Sequence, residues 1–411
     1  MMRELAHFLL QSPEVNFARL LCFACAAFVF VHPLRGELIA EGELPASTKD
    51  ALGGTSGSFG SGIAWDAKAG LLFCVSDRGP DDGHIAYRPR LHVLSLERKG
   101  SVLLPKILKT VILRDREGRE MTGLIPDDTT ATTPRMVDGR TCIDPEAIAI
   151  APDGSLFISD EYAPAIYRFD QDGRMLNRLD FPRAFEPLTA RGTRDFGPDA
   201  KLIGGRAPNQ GPEGMCLLHD GKTLAAIFQS GLVQDGSRTS ASVRFVLMDA
   251  TSGELQGDYA YPLGDPEGHI SPKKEKISVH ELVSLDASHF LVLERDGKGR
   301  DGSLDPKPAK YKAVYLADIS RANQETMVKK TLLFNLPDVT GISARALSAK
   351  WEGLATMGLS PDRRSADILI VSDNDFLTQK FLENGTTISF ERVKEEVGTQ
   401  FFLLRVPLEL R

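Results

Sequence analysis

An acidic residue, an apolar strand, a tight turn and a second apolar strand ending in carboxylates recur along the chain, and this recurrence restricts its folds more than any other feature. One copy runs from Pro145-Glu146-Ala147-Ile148 through Pro152-Asp153-Gly154 to Leu156-Phe157-Ile158-Ser159-Asp160-Glu161. Further copies begin at Glu213-Gly214-Met215, Glu281-Leu282-Val283 and Glu352-Gly353-Leu354, and a divergent one begins at Ser61-Gly62-Ile63 and ends at Asp77-Arg78. The acids at 146, 213, 281 and 352 are 67, 68 and 71 residues apart, a spacing that marks an internal repeat.

Each copy carries more than one hairpin. Ala165 to Phe169 and Met175 to Phe181 follow the second copy, and Val243 to Met248 and Glu254 to Leu263 follow the third, separated by turns rich in Asp and Gly. Nowhere past Glu37 does a long segment show the 3.6-residue period of a helix. The expectation is an all-β chain, a single β-propeller of four-stranded blades with five detectable repeats and room for a sixth. The last repeat is one strand short, and Glu37 to Leu44 is a spare strand that would complete it and close the ring, removing exposed sheet edges. The inserts 99–140, 183–210, 264–279 and 296–310 read as loops.

Residues 1–36 differ in kind. Arg19 precedes an apolar run from Leu20 to Val31, too short to span a bilayer comfortably and suited to a secretory signal or, failing cleavage, an anchor. The expected domains are therefore this segment and a propeller over 37–411, in the periplasm or secreted. Cys74, Cys142 and Cys216 are odd in number and scattered, so no disulfide framework is expected. A net charge of −7 over 411 residues argues against nucleic acid, and no membrane contact is expected apart from the N-terminal segment. A monomer acting on a small-molecule substrate is the simplest expectation.

In an antiparallel hairpin the start of one strand lies beside the end of the next, so the repeat gathers its acids at one mouth of the axial channel. The candidate metal ligands are Glu146, Asp160, Glu161, Glu213, Glu281, Glu294, Glu352, Asp373 and Asp375, with Asp77 and Asp296 nearby. So many carboxylates raise one another's pKa unless a cation offsets them, and calcium, which takes six to eight oxygens, is the expected cofactor. Zinc is not, since no Cys or His cluster has ligand spacing. Arg78, Arg295 and Lys350 are candidate electrostatic groups for catalysis, and His280 is the candidate general acid or base, with His84 a lesser one. There is no Gly-x-Ser-x-Gly elbow and no Walker loop, so neither serine hydrolase nor nucleotide chemistry is expected.

Asp144-Pro145-Glu146-Ala147-Ile148, Ile158-Ser159-Asp160-Glu161-Tyr162, Gln210-Gly211-Pro212-Glu213-Gly214, Leu293-Glu294-Arg295-Asp296, Lys350-Trp351-Glu352-Gly353-Leu354 and Ser372-Asp373-Asn374-Asp375 resemble the phytase-like family, named for an esterase-like activity of phytase. The likeness covers roughly residues 50 to 380. It implies a propeller whose acidic mouth holds metal, and, by similarity to calcium-dependent propeller phytases, a metal-activated water that attacks phosphorus. The wording is also similar to gluconolactonase-type propellers, which implies a calcium site drawn from Glu146, Asp373 and Asn374. The expected activity is an exported calcium-dependent hydrolase of phosphate esters. The alternatives are a calcium-dependent lactonase or carboxyl esterase, and a binding propeller without catalysis.

Overall fold

Hairpins joined by Asp-Gly turns dominate the computed structural model, which describes residues 36–125, 130, 136–265, 271–323 and 326–410. The N-terminal apolar run lies outside the described residues. The turns form because an aspartate side chain can bond its own backbone: Asp153 Oδ1 accepts the Ser155 N–H at 3.0 Å and Asp220 Oδ1 the Lys222 N–H at 2.8 Å. Gly154 and Gly221 follow at φ 83° and 65°, a left-handed conformation that glycine adopts without steric cost.

The chain is all-β and propeller-like. Five antiparallel four-stranded arrays follow one another. The first comprises Gly62–Asp66, Leu71–Val75, Arg90–Lys99 and Val102–Ile112, and the second Pro145–Ile150, Leu156–Asp160, Ala165–Phe169 and Met175–Asp180. The third comprises Pro212–Leu217, Thr223–Phe228, Ser242–Asp249 and Leu255–Pro262, and the fourth Ser278–Ser284, His289–Arg295, Lys312–Asp318 and Lys329–Asn335. The fifth takes Lys350–Leu359, Ser365–Asp373 and Thr399–Pro407, and its outer strand is Glu37–Leu44 from the start of the chain. That strand pairs antiparallel with Thr399–Pro407, from Glu37 opposite Arg405 to Leu44 opposite Thr399. A single parallel bridge from Glu41 to Val102 then links the fifth array to the first, giving an eight-stranded sheet. The insert 99–140 is thus not all loop, since Val102–Ile112 within it is a strand.

The first strands of the five arrays touch in cyclic order, the fifth returning to the first. Their cores do the same. Val75 and Ile148 share a cluster between arrays one and two, Phe157 and Phe228 between two and three, and Ile227 and Val292 between three and four. Leu293 and Trp351 share one between four and five, and Leu369 and Leu72 close the cycle. No array covers both its faces alone, so apolar burial between neighbours holds the ring, at roughly 1.5–3 kcal/mol per large side chain. Cys74, Cys142 and Cys216 are buried and form no disulfide among the described residues.

The first strands approach the axis closely. A Cβ on Gly214 would lie 2.6 Å from the Leu282 nitrogen, and one on Gly62 2.6 Å from the Ala147 Cα, so both positions require glycine.

Candidate active site

A bulge near the start of the first strand builds the site. In the third array Pro212 pairs with Phe228 and Gly214 with Ile227, leaving Glu213 as the extra residue; in the fifth, Glu352 is left out between Trp351 and Gly353 in the same way. In the fourth array the residue left out is His280, because Val279 pairs with Glu294 and Glu281 with Leu293. Glu146 falls within the corresponding irregularity of the second array, and Ser61 precedes Gly62 in the first. The bulge positions are therefore Glu146, Glu213, His280 and Glu352, and Ser61 takes the corresponding place ahead of the first array, whose strand pairing is regular. Glu281, expected as the equivalent of the other acids, instead matches the tight axial positions of Gly62, Ala147, Gly214 and Gly353.

The rung below the bulge supplies a second set. Lys350 pairs with Asp373 and Ser278 with Arg295. The Glu161 N–H donates to the Asp144 carbonyl and the Gln229 N–H to the Gly211 carbonyl. A cavity of about 220 Å³ opens on these residues, lined among others by Asp77, Arg78, Glu146, Glu161, Glu213, Ser278, Arg295, Lys350 and Glu352. A neighbouring cavity of about 310 Å³ shares Arg78, Asp82, Glu161 and Asn209 with it and adds Tyr162, Phe196 and Arg238.

On one side of the mouth, Asp144, Glu146 and Glu161 each place a carboxylate oxygen within 4.8 Å of the others. Arg78 braces Asp144 twice, its backbone N–H donating to Oδ1 and its Nη1 lying near Oδ2, both at 3.0 Å. Glu161 Oε1 accepts the Gly211 N–H at 2.9 Å. Glu146 is 8% exposed and has no hydrogen bond or ion pair among the described residues. Burial, then the charges of Glu213, Asp144 and Glu161, push its carboxyl well above the usual range. Burial and then Asp144 bring Glu161 up to about 7.

Across the mouth the balance reverses. Arg295 Nη2 donates to Glu352, and His280 Nδ1 lies 3.4 Å from Glu352 Oε1 and 3.6 Å from Glu213 Oε2. Burial pushes the Glu352 carboxyl upward, but the charges of Arg295 and Lys350 outweigh it and hold it well below the carboxylate range. His280 is fully buried, and burial followed by the Arg295 charge keeps it neutral. Asp373 accepts from the Ser58 and Ser61 hydroxyls at 2.7 and 2.9 Å, and burial with the Glu352 charge raises it to about 7.

Five expected metal ligands do not line the cavity, Asp373, held by the Ser58 and Ser61 hydroxyls, being the first. Asp160 is fully buried and its Oδ1 accepts the N–H groups of Asp144 and Tyr162, so it frames the site without lining the cavity. Glu294 is turned into the fourth array, where Lys330, the Tyr261 hydroxyl (2.8 Å) and the Gly264 N–H (2.8 Å) hold it. Glu281 Oε1 accepts the N–H groups of Leu282 (2.9 Å) and Met215 (3.3 Å) at the axis, and burial keeps it protonated. Asp375 pairs with Lys350 Nζ at 2.8 Å on the rim. Asp296 is bound by Lys312, and His84 lines the neighbouring cavity. Asp144, Ser278 and Gln229 were not singled out from sequence. Their signal is positional: Asp144 precedes Glu146, and Ser278 precedes His280, by two residues.

A relative described as an uncharacterized secreted protein of Arthroderma benhamiae is 27% identical over 462 residues, covering 87% of this chain and 90% of that one. Among solved structures, a luciferin-regenerating enzyme covers 90% of this chain and 95% of its own at 12% identity and a TM-score of 0.36. A calcium-binding protein, regucalcin, of Agrobacterium tumefaciens covers 91% and 95% at 14% identity and a TM-score of 0.35. No helix among the described residues is long and apolar enough to cross a membrane. The family described as Phytase-like, esterase-like activity of phytase, matches residues 55–376, and the chain belongs to it.

Proposed function

We propose that this chain is an exported, calcium-dependent hydrolase of esters, with phosphate esters as its first substrate class, acting at the acidic mouth of a five-bladed propeller. The observation that carries the reading is Glu146, buried without a partner beside Asp144 and Glu161. Ionised, it would face an uncompensated burial cost of several kcal/mol, which a divalent cation would offset. Oxygens within 4.8 Å of one another suit a cation with metal–oxygen bonds of about 2.3–2.6 Å, and three protein ligands leave positions for water and substrate. A cation there would lower the pKa of a water and stabilise charge on the transferred group.

The chain's own residues do the rest. Arg78 holds Asp144 and presents its guanidinium between the two cavities, while Arg295 and Lys350 supply positive charge across the mouth to orient an anionic group. Each of these cations already pairs with a carboxylate: Arg78 with Asp144 and Asp82, Arg295 with Glu352, Lys350 with Asp375. That pairing favours substrates of low charge over a highly phosphorylated inositol, and it gives a second reading, carboxyl esters or lactones, its support. Export rests on the apolar N-terminal run and on the relative's description as secreted. The five-blade count rests on the cycle of five shared cores.

The test is turnover of p-nitrophenyl phosphate and p-nitrophenyl acetate with calcium and with chelator, alongside thermal unfolding. Calcium at about 100 times its Kd should stabilise the chain by about 3 kcal/mol, and Glu146→Gln should abolish that gain and calcium-dependent turnover together. A full calcium response in the variant would remove Glu146 from the site. Calcium stabilisation without turnover of any ester would leave a binding propeller.

A further inference from the structure

Ser278 opens the fourth array on the far side of the mouth from the acidic corner. It is partly exposed to the cavity, and its Oγ lies 2.7 Å from Nε2 of the fully buried His280. The other ring nitrogen of His280 faces Glu352 at 3.4 Å and Glu213 at 3.6 Å and makes no hydrogen bond. Such contacts in an unliganded site tighten when substrate binds. Arg295 pairs directly across the sheet from Ser278 and lines the same cavity, with a buried Nε that has no partner. The fold does not require a serine here, since the matching residues of the second, third and fifth arrays are Asp144, Gly211 and Lys350.

We propose that Ser278 is a catalytic nucleophile, with His280 its general base, Glu352 the carboxylate that positions the histidine, and Arg295 the stabiliser of the oxyanion, so that this corner hydrolyses carboxyl esters through an acyl-serine. Ser278 Oγ attacks the acyl carbon, forming the Oγ–C bond as its proton passes to His280 Nε2. The carbonyl oxygen gains the negative charge, which Arg295 faces. Collapse breaks the bond to the alcohol oxygen, and His280 returns the proton to that oxygen as the alcohol leaves. Water then attacks the acyl-serine with the same proton relay, releasing the acid and restoring Ser278, so one ester and one water yield one acid and one alcohol. None of these residues belongs to the Asp144, Glu146 and Glu161 group, so the inference is independent of the metal reading.

The experiment treats the full chain, in chelator, with diisopropyl fluorophosphate and maps the adduct by mass spectrometry. Wild type should carry one adduct, on Ser278, and His280→Asn should slow labelling about 100-fold or more. Chelator-resistant turnover of p-nitrophenyl acetate should fall by a similar factor in Ser278→Ala, while cooperative thermal unfolding, lowered by a few degrees at most because His280 Nε2 loses its partner, shows that the variant is folded. No adduct on Ser278 of the folded wild type, or undiminished chelator-resistant turnover in Ser278→Ala, would overturn the proposal. Calcium-dependent turnover surviving in Ser278→Ala beside an unlabelled Ser278 would overturn it while sparing the metal reading. Labelling at Ser278 with no calcium response would do the reverse.

Discussion

The two sides of the mouth use the same backbone to opposite ends. The second array places Asp144 and Glu161 on its rung and Glu146 at its bulge; the fourth places Ser278 and Arg295 on its rung and His280 at its bulge. In the first setting like charges crowd, and burial drives Glu146 and Glu161 toward the protonated form. In the second, Arg295 and Lys350 hold neighbouring Glu352 ionised although it too is buried. Burial alone therefore does not decide the state of an acid here; the charges beside it do, carboxylates around Glu146 and the cations Arg295 and Lys350 around Glu352. On one side Arg78 reaches Asp144 and leaves Glu146 without an ion pair among the described residues; on the other Arg295 reaches the bulge carboxylate Glu352 itself.

The largest test of that contrast is Arg295→Ala. Removing the guanidinium leaves Glu352 buried beside Glu213 with only Lys350 and the neutral His280 to face it, at a cost of about 3–5 kcal/mol in urea unfolding. If the variant loses less than about 1 kcal/mol, the basic corner does not depend on its own cation and the two sides are less different than their charges imply.

A middle-sized effect belongs to Asp373, the rung partner of Lys350. Its folded pKa of about 7 lies above the ordinary value of 3.8, so the stability linked to its proton is complete below pH 4 and is lost as pH rises through about 7. Wild type should therefore lose on the order of 2–4 kcal/mol from this group between pH 4 and 8. Asp373→Asn should flatten that slope, because the amide keeps an oxygen for the Ser58 and Ser61 hydroxyls and has no charge to bury. Parallel slopes for variant and wild type, read from urea midpoints at pH 5 and pH 8, would sink the assignment of the proton to Asp373.

The all-β, propeller-like repeat was legible in the sequence because strand, turn and strand recur at a nearly constant interval, and the pairing of Glu37–Leu44 with the last array was legible because the last repeat lacked a strand. The mouth was legible as a place, since Glu146, Glu161, Glu213 and Glu352 line it. What escaped was the bulge. An extra residue in one strand leaves no mark in composition, so the run His280-Glu281 was aligned by its acid when the backbone aligns it by its histidine. Glu294 escaped for a related reason: it sits one residue before the rung position of Arg295, and alternation turns it into the sheet toward Lys330 and Tyr261. Ser278 had no motif to announce it, because its partner lies two residues away on the same strand.

The smallest effect is expected at Glu281, and it sharpens the contrast by its size. The carboxyl sits where other arrays carry glycine or alanine, keeps its proton because of burial, and uses one oxygen to accept the Leu282 and Met215 N–H groups. Its other oxygen has no partner. An amide reproduces that pattern, with the carbonyl accepting the same two donors and the NH₂ standing where the protonated oxygen stood. Glu281→Gln should therefore change stability by less than about 1 kcal/mol and leave the calcium response whole. The same exchange at Glu146, one position earlier in the shared register, should abolish that response. Equal losses at the two positions would mean that the axial acid reaches the cation, and that the one-residue shift between the arrays has no consequence for binding.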